Sequence, residues 1–450
     1  MVASPVTTPR ESHTPVQEFR RFEKTVIVRE PVWLATLRRS GWQQFRKLGF
    51  PATGHEDWRF TNLSPMVRLP FRPAGEPAEL ALPALQDLTL GRLAGPRLVF
   101  VDGHYCPGLS CRDGLPAEVT LDNLAVQLKE ETATAAELLG RRLCAAEHGL
   151  TALNTAFFRD GAILQIPDGC VVEPPIQWLH LSTGPEPGTV AHVRHLIQVG
   201  ARSQCTVVEN YLSLGGAAHV TNTVTELQVG EDARVEHLKY QDQSAQSFHV
   251  GTLSGEFGRG SRVSLHSFAL GSRLSRYDLR VRLAGEGLEC VLNGLYLTKG
   301  DQLADHHMVV EHAQAQCASH EYFNGILDDQ SRGVFHGRIL VQPEAQKTDA
   351  KQTNKNLLLS DQATVDTKPQ LEIYADDVKC THGATVGQLN PESIFYLRSR
   401  GIGQETARRM LIHAFAGEII ERVQSAPVRA ELDRLVWTRL EQNPHISGKV

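Results

Sequence analysis

The stretch Val199–Leu292 reads VGARSQCTVVENYLSLGGAAHVTNTVTELQVGEDARVEHLKYQDQSAQSFHVGTLSGEFGRGSRVSLHSFALGSRLSRYDLRVRLAGEGLECVL, and four of its glycines decide the fold. Each closes an apolar run in the same way, at Val199-Gly200, Val229-Gly230, Phe257-Gly258 and Ala284-Gly285. They lie 30, 28 and 27 residues apart. After each comes a short polar segment and then a fresh β-branched or apolar run: Cys205-Thr206-Val207-Val208, from Val235, from Val263, and Cys290-Val291-Leu292. A near-constant period of this size marks a repeated unit that buries its apolar face only by stacking on the next. With strands inside each unit, the expected fold is mainly β, a right-handed β-helix or solenoid. Propeller blades have longer periods, about 40 residues or more, and signatures that are missing here.

Working outward, the strand pattern begins near Gly161 and continues through turns at Asp328-Asp329 and Ser360-Asp361 to about Val386. Residues 1–20 are rich in Ser, Thr and Pro and read as a disordered tail. Residues 21–155 read as a mainly helical N-terminal domain. Apolar residues recur at helical spacing over Pro31–Lys47 (Trp33, Leu34, Leu37, Trp42, Phe45), over Ala135–Ala145 and over Leu150–Phe158. Leu88–Val101 adds short strand-like pieces. The β-helix core is expected over residues 156–388 and a helical domain over 389–450. There, Asn390 can cap, Pro391 suits the first helical turn and Glu392 favours the positive end of the helix dipole. Arg400-Gly401-Ile402-Gly403 breaks that helix near Ser399. The next runs from Gln404 to Val423, with Ala407, Met410, Leu411, Ala414, Phe415 and Ile419 expected on its apolar face, and Pro427 ends it. A last helix over Val428–Leu440 carries Leu435 and Trp437, which look exposed.

The 450 residues carry 51 acidic and 46 basic side chains, a formal net charge of -5. This balance offers no basic footprint for nucleic acid and no charged block for a membrane surface. No run is long and apolar enough to span a bilayer, and the first residues lack the apolar core of a secretory signal, so the expected compartment is the cytoplasm. The eight cysteines are scattered, which suits reduced thiols. No C-x-x-C pair is present, and Cys106 and Cys111 read as two loop thiols. Phosphate-loop, dinucleotide-loop, H-E-x-x-H and G-x-S-x-G patterns are absent, which disfavours an autonomous nucleotidase, dehydrogenase, zinc protease or serine hydrolase.

Chemistry concentrates in Ala345–Gln388, AQKTDAKQTNKNLLLSDQATVDTKPQLEIYADDVKCTHGATVGQ. Its Gln, Asn and Thr residues suit polar ladders between rungs about 4.8 Å apart. Cys380 and His382, two apart in a strand, share a face, so a thiol and an imidazole lie side by side as ligands for iron or a cluster; a buried cysteine beside a hydrogen-bonded histidine is the simpler account. A second group, Asp305-His306-His307-Met308-Val309-Val310-Glu311-His312 with Cys317, His320 and His336, places His306, Met308, Val310 and His312 on one face and His307, Val309 and Glu311 on the other. These read as ladder residues on adjacent rungs rather than as a metal site.

This region resembles the SufD family of iron-sulfur cluster assembly subunits of the SUF system. The resemblance rests on Gln346–Ala350, Asn356–Ser360, Lys368–Ile373, Cys380-Thr381-His382-Gly383-Ala384-Thr385-Val386-Gly387 and Phe395–Ile402, and more weakly on Glu56-Asp57-Trp58-Arg59-Phe60-Thr61-Asn62-Leu63. It implies a non-catalytic scaffold working with the paralogue SufB and the ABC-type ATPase SufC. It implies that Cys380 and His382 lie where the two β-helices meet and take part in building a transient iron-sulfur cluster shared with SufB. It further implies that the C-terminal helical region holds the ATPase, through Phe395, Tyr396, Arg398, Arg400, Gly401, Met410, Leu411 and Phe415. A flavin is suggested for the assembled complex of some relatives, and no motif here reads for one; a homodimer stays open when the paralogue is absent. The rival reading is a β-solenoid enzyme acting on polysaccharide, for which Asp305, Glu311, Asp328 and Asp329 are the only carboxylate hint. In the N-terminal motif, a tryptophan packed on the core beside a paired charge is the simpler account of Trp58.

Overall fold

A computed structural model describes residues 13–76, 88, 90–129, 139 and 149–442. Its centre is a two-sheet solenoid. The short strands β1 (Arg72–Pro73), β2 (Arg97–Val101), β3 (His104–Tyr105) and β4 (Thr120–Asn123) lead into it. One sheet then takes β5 (Ala162–Ile166), β7 (Thr189–Val199), β9 (His219–Val229), β11 (Phe248–Phe257), β13 (Leu274–Leu283), β15 (Leu303–His312), β17 (Arg332–Val341) and β19 (Thr364–Ile373). The other takes β6 (Ile176–Ser182), β8 (Gln204–Ser213), β10 (Arg234–Asp242), β12 (Arg262–Ala269), β14 (Glu289–Thr298), β16 (Ala318–Leu327), β18 (Asp349–Leu358) and β20 (Lys379–Gly387). Odd strands pair in parallel with odd and even with even, so sixteen strands at two per turn make eight turns. The expected solenoid is what the chain forms.

The repeat glycines explain why the turns stack. A Cβ on Gly230 would sit 2.7 Å from the Ala201 nitrogen, and one on Gly285 would sit 2.1 Å from the Arg259 nitrogen. Successive turns therefore approach more closely than any side chain permits. Two residues after each such glycine the backbone turns left-handed, at Arg202, Asp232, Gly260 and Gly287.

Side chains alternate along each strand, so each sheet has an inner and an outer face. Trp178, Val207, Leu265, Leu292, Phe323 and Phe335 are among those that fill the space between the sheets. In the middle turns this interior turns polar. Glu209 accepts from Tyr211 Oη at 2.7 Å and Thr225 Oγ1 at 2.8 Å, and lies 2.9 Å from His237 Nε2. The ammonium of Lys239 sits 4.4 Å from the centre of the Tyr277 ring. Burial pulls this amine down to about 8, against the attraction of Glu209.

Helices cover part of each outer face. On the odd sheet, Phe19, Trp42 and Phe157, from helices Pro15–Thr25, Val32–Leu48 and Gly149–Phe157, pack over Val190, Val220 and Val250. Asn154 and Asn222 tie the last of these helices to the sheet by amide-to-backbone bonds of 2.9 Å. On the even sheet, Ile412, Ala416, Leu432 and Val436 pack over Leu238, Phe268 and Leu295.

Several local expectations need correction. The first helix begins at Pro15, capped by Thr14 in a reciprocal box with Gln17, so helix already occupies the end of the segment read as a tail. Residues 1–12 and most of Ala135–Ala145 lie outside the described residues. In helix Gln404–Ile420 the buried face is Ala407, Ile412, Ala416, Ile419 and Ile420; Met410 and Ala414 are exposed. The helix is apolar around much of its circumference, so spacing alone could not choose a face. It ends at Ile420, and Pro427 opens the next helix, Ala426–Glu441, where Leu435 and Trp437 are half-buried. No helix among the described residues is long and apolar enough to cross a membrane.

Candidate functional site at the open end of the solenoid

The last turn leaves both sheets open at one end. β19 pairs only with β17 and β20 only with β18, so each presents an unpaired row of backbone N–H and C=O groups. On β20, Cys380, His382, Ala384 and Val386 stand in register with Ala350, Gln352, Asn354 and Asn356 of β18. Those four β18 residues are buried, whereas from His382 onward the β20 row is exposed. The inward-facing column of the solenoid thus ends on a thiol and an imidazole with no further turn above them.

Cys380 is the more enclosed of the two. It packs against the cluster formed by Ile339, Val341, Ala345 and Ala350. Burial pushes its thiol up, the Ala350 backbone bond opposes this and the Asp349 charge adds to it. Release of that proton therefore needs a metal or a nearby cation. Beneath His382, Gln352 donates to the Glu321 carboxylate, which burial lifts to about 7.

The residues expected to hold an ATPase separate by exposure. Phe395 (73 % exposed), Tyr396, Arg398, Arg400 and Gly401 lie on the surface of helix Pro391–Ser399 and its end, with Met410 also exposed. The Arg400 guanidinium sits 5.1 Å from the centre of the Tyr396 ring. Leu411 and Phe415 are half-buried, and the Phe415 carbonyl accepts from Asn324 Nδ2 at 2.9 Å. Gly401, with φ +86°, ends the first helix: its N–H reaches the Arg398 carbonyl, and the Ile402 N–H reaches that of Leu397. This is a Schellman closure, so the Arg400–Gly403 glycines act as a helix break and not a dinucleotide loop.

The N-terminal motif docks on the odd sheet. Trp58 is buried under the Arg276 guanidinium, 3.7 Å from its ring centre, and Thr61 Oγ1 donates to Asp305 Oδ2 at 2.5 Å. Arg276 in turn binds Asp278 and Asp305 at 2.7 and 2.6 Å. Asp305 is therefore committed to Arg276 and Thr61, Glu311 on the same face lies beside Arg282 and Gln342, and Asp328 and Asp329 lie at the turn after β16, away from both. The same docking brings Asp57 over His307 and His336, a juxtaposition not read from the sequence. The available signal was their 29-residue separation, one solenoid period, which puts the two histidines in register.

The fold and the site define a class: a two-sheet β-solenoid, open at one end, with a thiol and an imidazole on its last turn. The family description "SUF system FeS cluster assembly, SufBD core domain" matches residues 180–415, and "SufBD protein N-terminal region" matches residues 12–178. The chain belongs to the SufBD family. It is 34 % identical over 403 residues to an iron-sulfur cluster assembly SufBD family protein of Synechocystis, covering 87 % of this chain and 88 % of the relative. It is 34 % identical over 402 residues to the iron-sulfur cluster assembly protein SufD of Escherichia coli, covering 88 % and 91 %. The Bacillus subtilis SufD is 26 % identical over 432 residues, covering 92 % and 95 %.

Proposed function

We propose that this chain is a SufD-like, non-catalytic scaffold of a SUF assembly complex in the cytoplasm. The observation that carries the reading is the open last turn, where Cys380 and His382 end the inward column of an otherwise stacked interior. A second β-solenoid, the SufB-type paralogue, adds its own edge strands to β19 and β20 by backbone pairing. Such pairing closes both sheets across the junction and brings the partner's ligands to Cys380 and His382. The nascent iron-sulfur cluster is the cargo of this junction. Cys380 supplies thiolate, and His382 a neutral imidazole or a proton acceptor. A SufC-type ATPase docks on the exposed surface of Phe395, Tyr396, Arg398, Arg400, Gly401 and Met410, with Leu411 and Phe415 supporting it from beneath. ATP-driven closure of that partner strains the solenoid junction through the C-terminal helices.

The test is anaerobic co-purification of the tagged chain from its native cell, with the double variant Phe395→Ala/Tyr396→Ala in parallel. Recovery of a paralogous β-solenoid protein and an ABC-type ATPase, with only the ATPase lost from the variant, supports the reading. Recovery of neither partner overturns it.

A further inference from the structure

A constellation away from the open end has ligand chemistry of its own. His307 on β15 and His336 on β17 are register partners on the outer face of the odd sheet. Their rings lie 4.2 Å apart, nearly perpendicular at 78°. Asp57, from the turn that also carries Glu56 and Trp58, brings Oδ1 to 3.6 Å from His307 Nε2. That gap is too long for a hydrogen bond. It is close to the spacing of two donors that share one ion at about 2.1 Å from each. One donor atom from each of the three residues falls within 4.8 Å of the others.

The surroundings fit an ion better than a closed ladder. The three residues line a cleft of about 420 Å³, so water has room to complete a coordination shell. Both imidazoles are largely buried, His307 at 4 % exposure and His336 at 8 %, while Asp57 is exposed. Three of the nearby cations are matched, Arg276 by Asp278 and Asp305, Arg338 by Glu372, and Lys368 by Glu56, while Arg59, which also lines the cleft, sits 5.6 Å from the centre of the Phe60 ring. Gln370 Oε1, 3.5 Å from His336 Nε2, is placed to orient that ring as an outer-shell partner. The trio is also anchored independently of any ion. Trp58, next to Asp57, is buried against Arg276, whose Nη1 donates to the Asp57 carbonyl at 2.8 Å.

We infer that Asp57, His307 and His336 form a second metal site, for a divalent first-row transition ion, with ferrous iron the best match. Two imidazoles and one carboxylate on one side, with open positions opposite, is the donor set of non-haem ferrous centres. No thiolate takes part, so the site takes a single ion and not a cluster. On the assembly reading the ion is iron held apart from the Cys380 junction, but the metal site itself does not depend on that reading.

Cobalt(II) serves as an air-stable probe with visible ligand-field bands. The full chain is titrated with cobalt(II) under argon, followed by absorption and by metal count after desalting, and the titration is repeated with ferrous iron. The expected result is one cobalt per chain, with ligand-field bands and no thiolate charge-transfer band. Cys380→Ser/His382→Ala keeps this signal. Asp57→Asn and His336→Gln weaken binding by more than about 100-fold, beyond the range for loss of an outer-shell partner. Circular dichroism checks both variants; should His336→Gln misfold, Asp57→Asn, on an exposed loop, decides the matter alone. No stoichiometric binding overturns the inference, as does binding that survives the Asp57 change or vanishes with the Cys380/His382 change. Partner capture, the test of the assembly role, needs none of these residues, so the two ideas fail separately.

Discussion

The Arg276 guanidinium lies 3.7 Å from the centre of the Trp58 ring, joining a loop near the N-terminus to the middle of the solenoid. Arg276 is fully buried and binds two carboxylates, Asp278 and Asp305. Burial alone would weaken its charge, but the two carboxylates raise its affinity for the proton. Replacing it with Met leaves two buried acids facing each other without a cation. The expected loss is about 3–5 kcal/mol, the range for breaking a buried pair on one side. Trp58→Ala is expected to cost about 3–5 kcal/mol through the cavity it leaves. Because the two share one contact, the double variant should lose less than the sum. Urea denaturation of the three variants checks this, and strict additivity would refute the coupling.

At the open end, fold and function should separate. His382 is exposed and Cys380 half-buried, so Cys380→Ser and His382→Ala should each shift stability by no more than about 1 kcal/mol. The same variants should lose most of the iron and acid-labile sulfide recovered with the anaerobically purified complex. Unchanged cluster content in His382→Ala would remove that residue from the junction chemistry.

The parts of the fold that could be read in advance are those in which local backbone needs dictate residue type. Gly200, Gly230, Gly258 and Gly285 recur because stacked turns exclude a Cβ, and that exclusion writes a period into the chain. That Cys380 and His382 share a face was readable because strand geometry alone puts neighbours two apart on one side. What stayed hidden depends on contacts between distant segments. Asp57 meets His307 and His336 because Trp58 finds Arg276, and nothing local to any of the five announces it. The buried face of helix Gln404–Ile420 stayed hidden for a different reason: with Ala, Met, Leu, Ile and Phe nearly all round, the sheet beneath chooses the face.

The turn argument makes a paired prediction. Gly287 has φ +66° and open space around its absent Cβ, whereas Gly285 has ordinary φ and no space. Gly287→Ala should cost about 1–2 kcal/mol, the strain of a left-handed alanine. Gly285→Ala forces the turn away from Arg259 and should cost more, since backbone must move and not merely strain. Thermal unfolding of the two variants orders them. If Gly285→Ala proves the milder, close stacking of turns is not what selects glycine there.

Acid should unfold this protein well above the carboxylate range. Burial lowers His192 and His306 to about 3, and His195 and His312 to about 4, from an ordinary value near 6.5. The unfolded chain therefore takes up these protons first. Their contribution is fully present above pH 6.5 and is lost as pH falls below it, at about 1.4 kcal/mol per histidine per pH unit. Glu321 works the other way. Its carboxyl, lifted by burial to about 7, keeps its proton in the folded state and so adds stability as pH falls from 7 toward 4.5. These four histidines against one glutamate leave three protons net, and His180, His249 and His307, which burial also holds well below 6.5, add to the loss, so stability should fall by at least about 4 kcal/mol per pH unit between 6 and 5. Glu209 extends the loss to lower pH: burial alone would raise its carboxyl, but His237 first, then His195 and Lys239, hold it well below the usual range. Urea midpoints at pH 7, 6 and 5 measure the slope directly. A midpoint that stays level across that range would mean that the buried histidines enter the folded state already protonated, contrary to their deep burial.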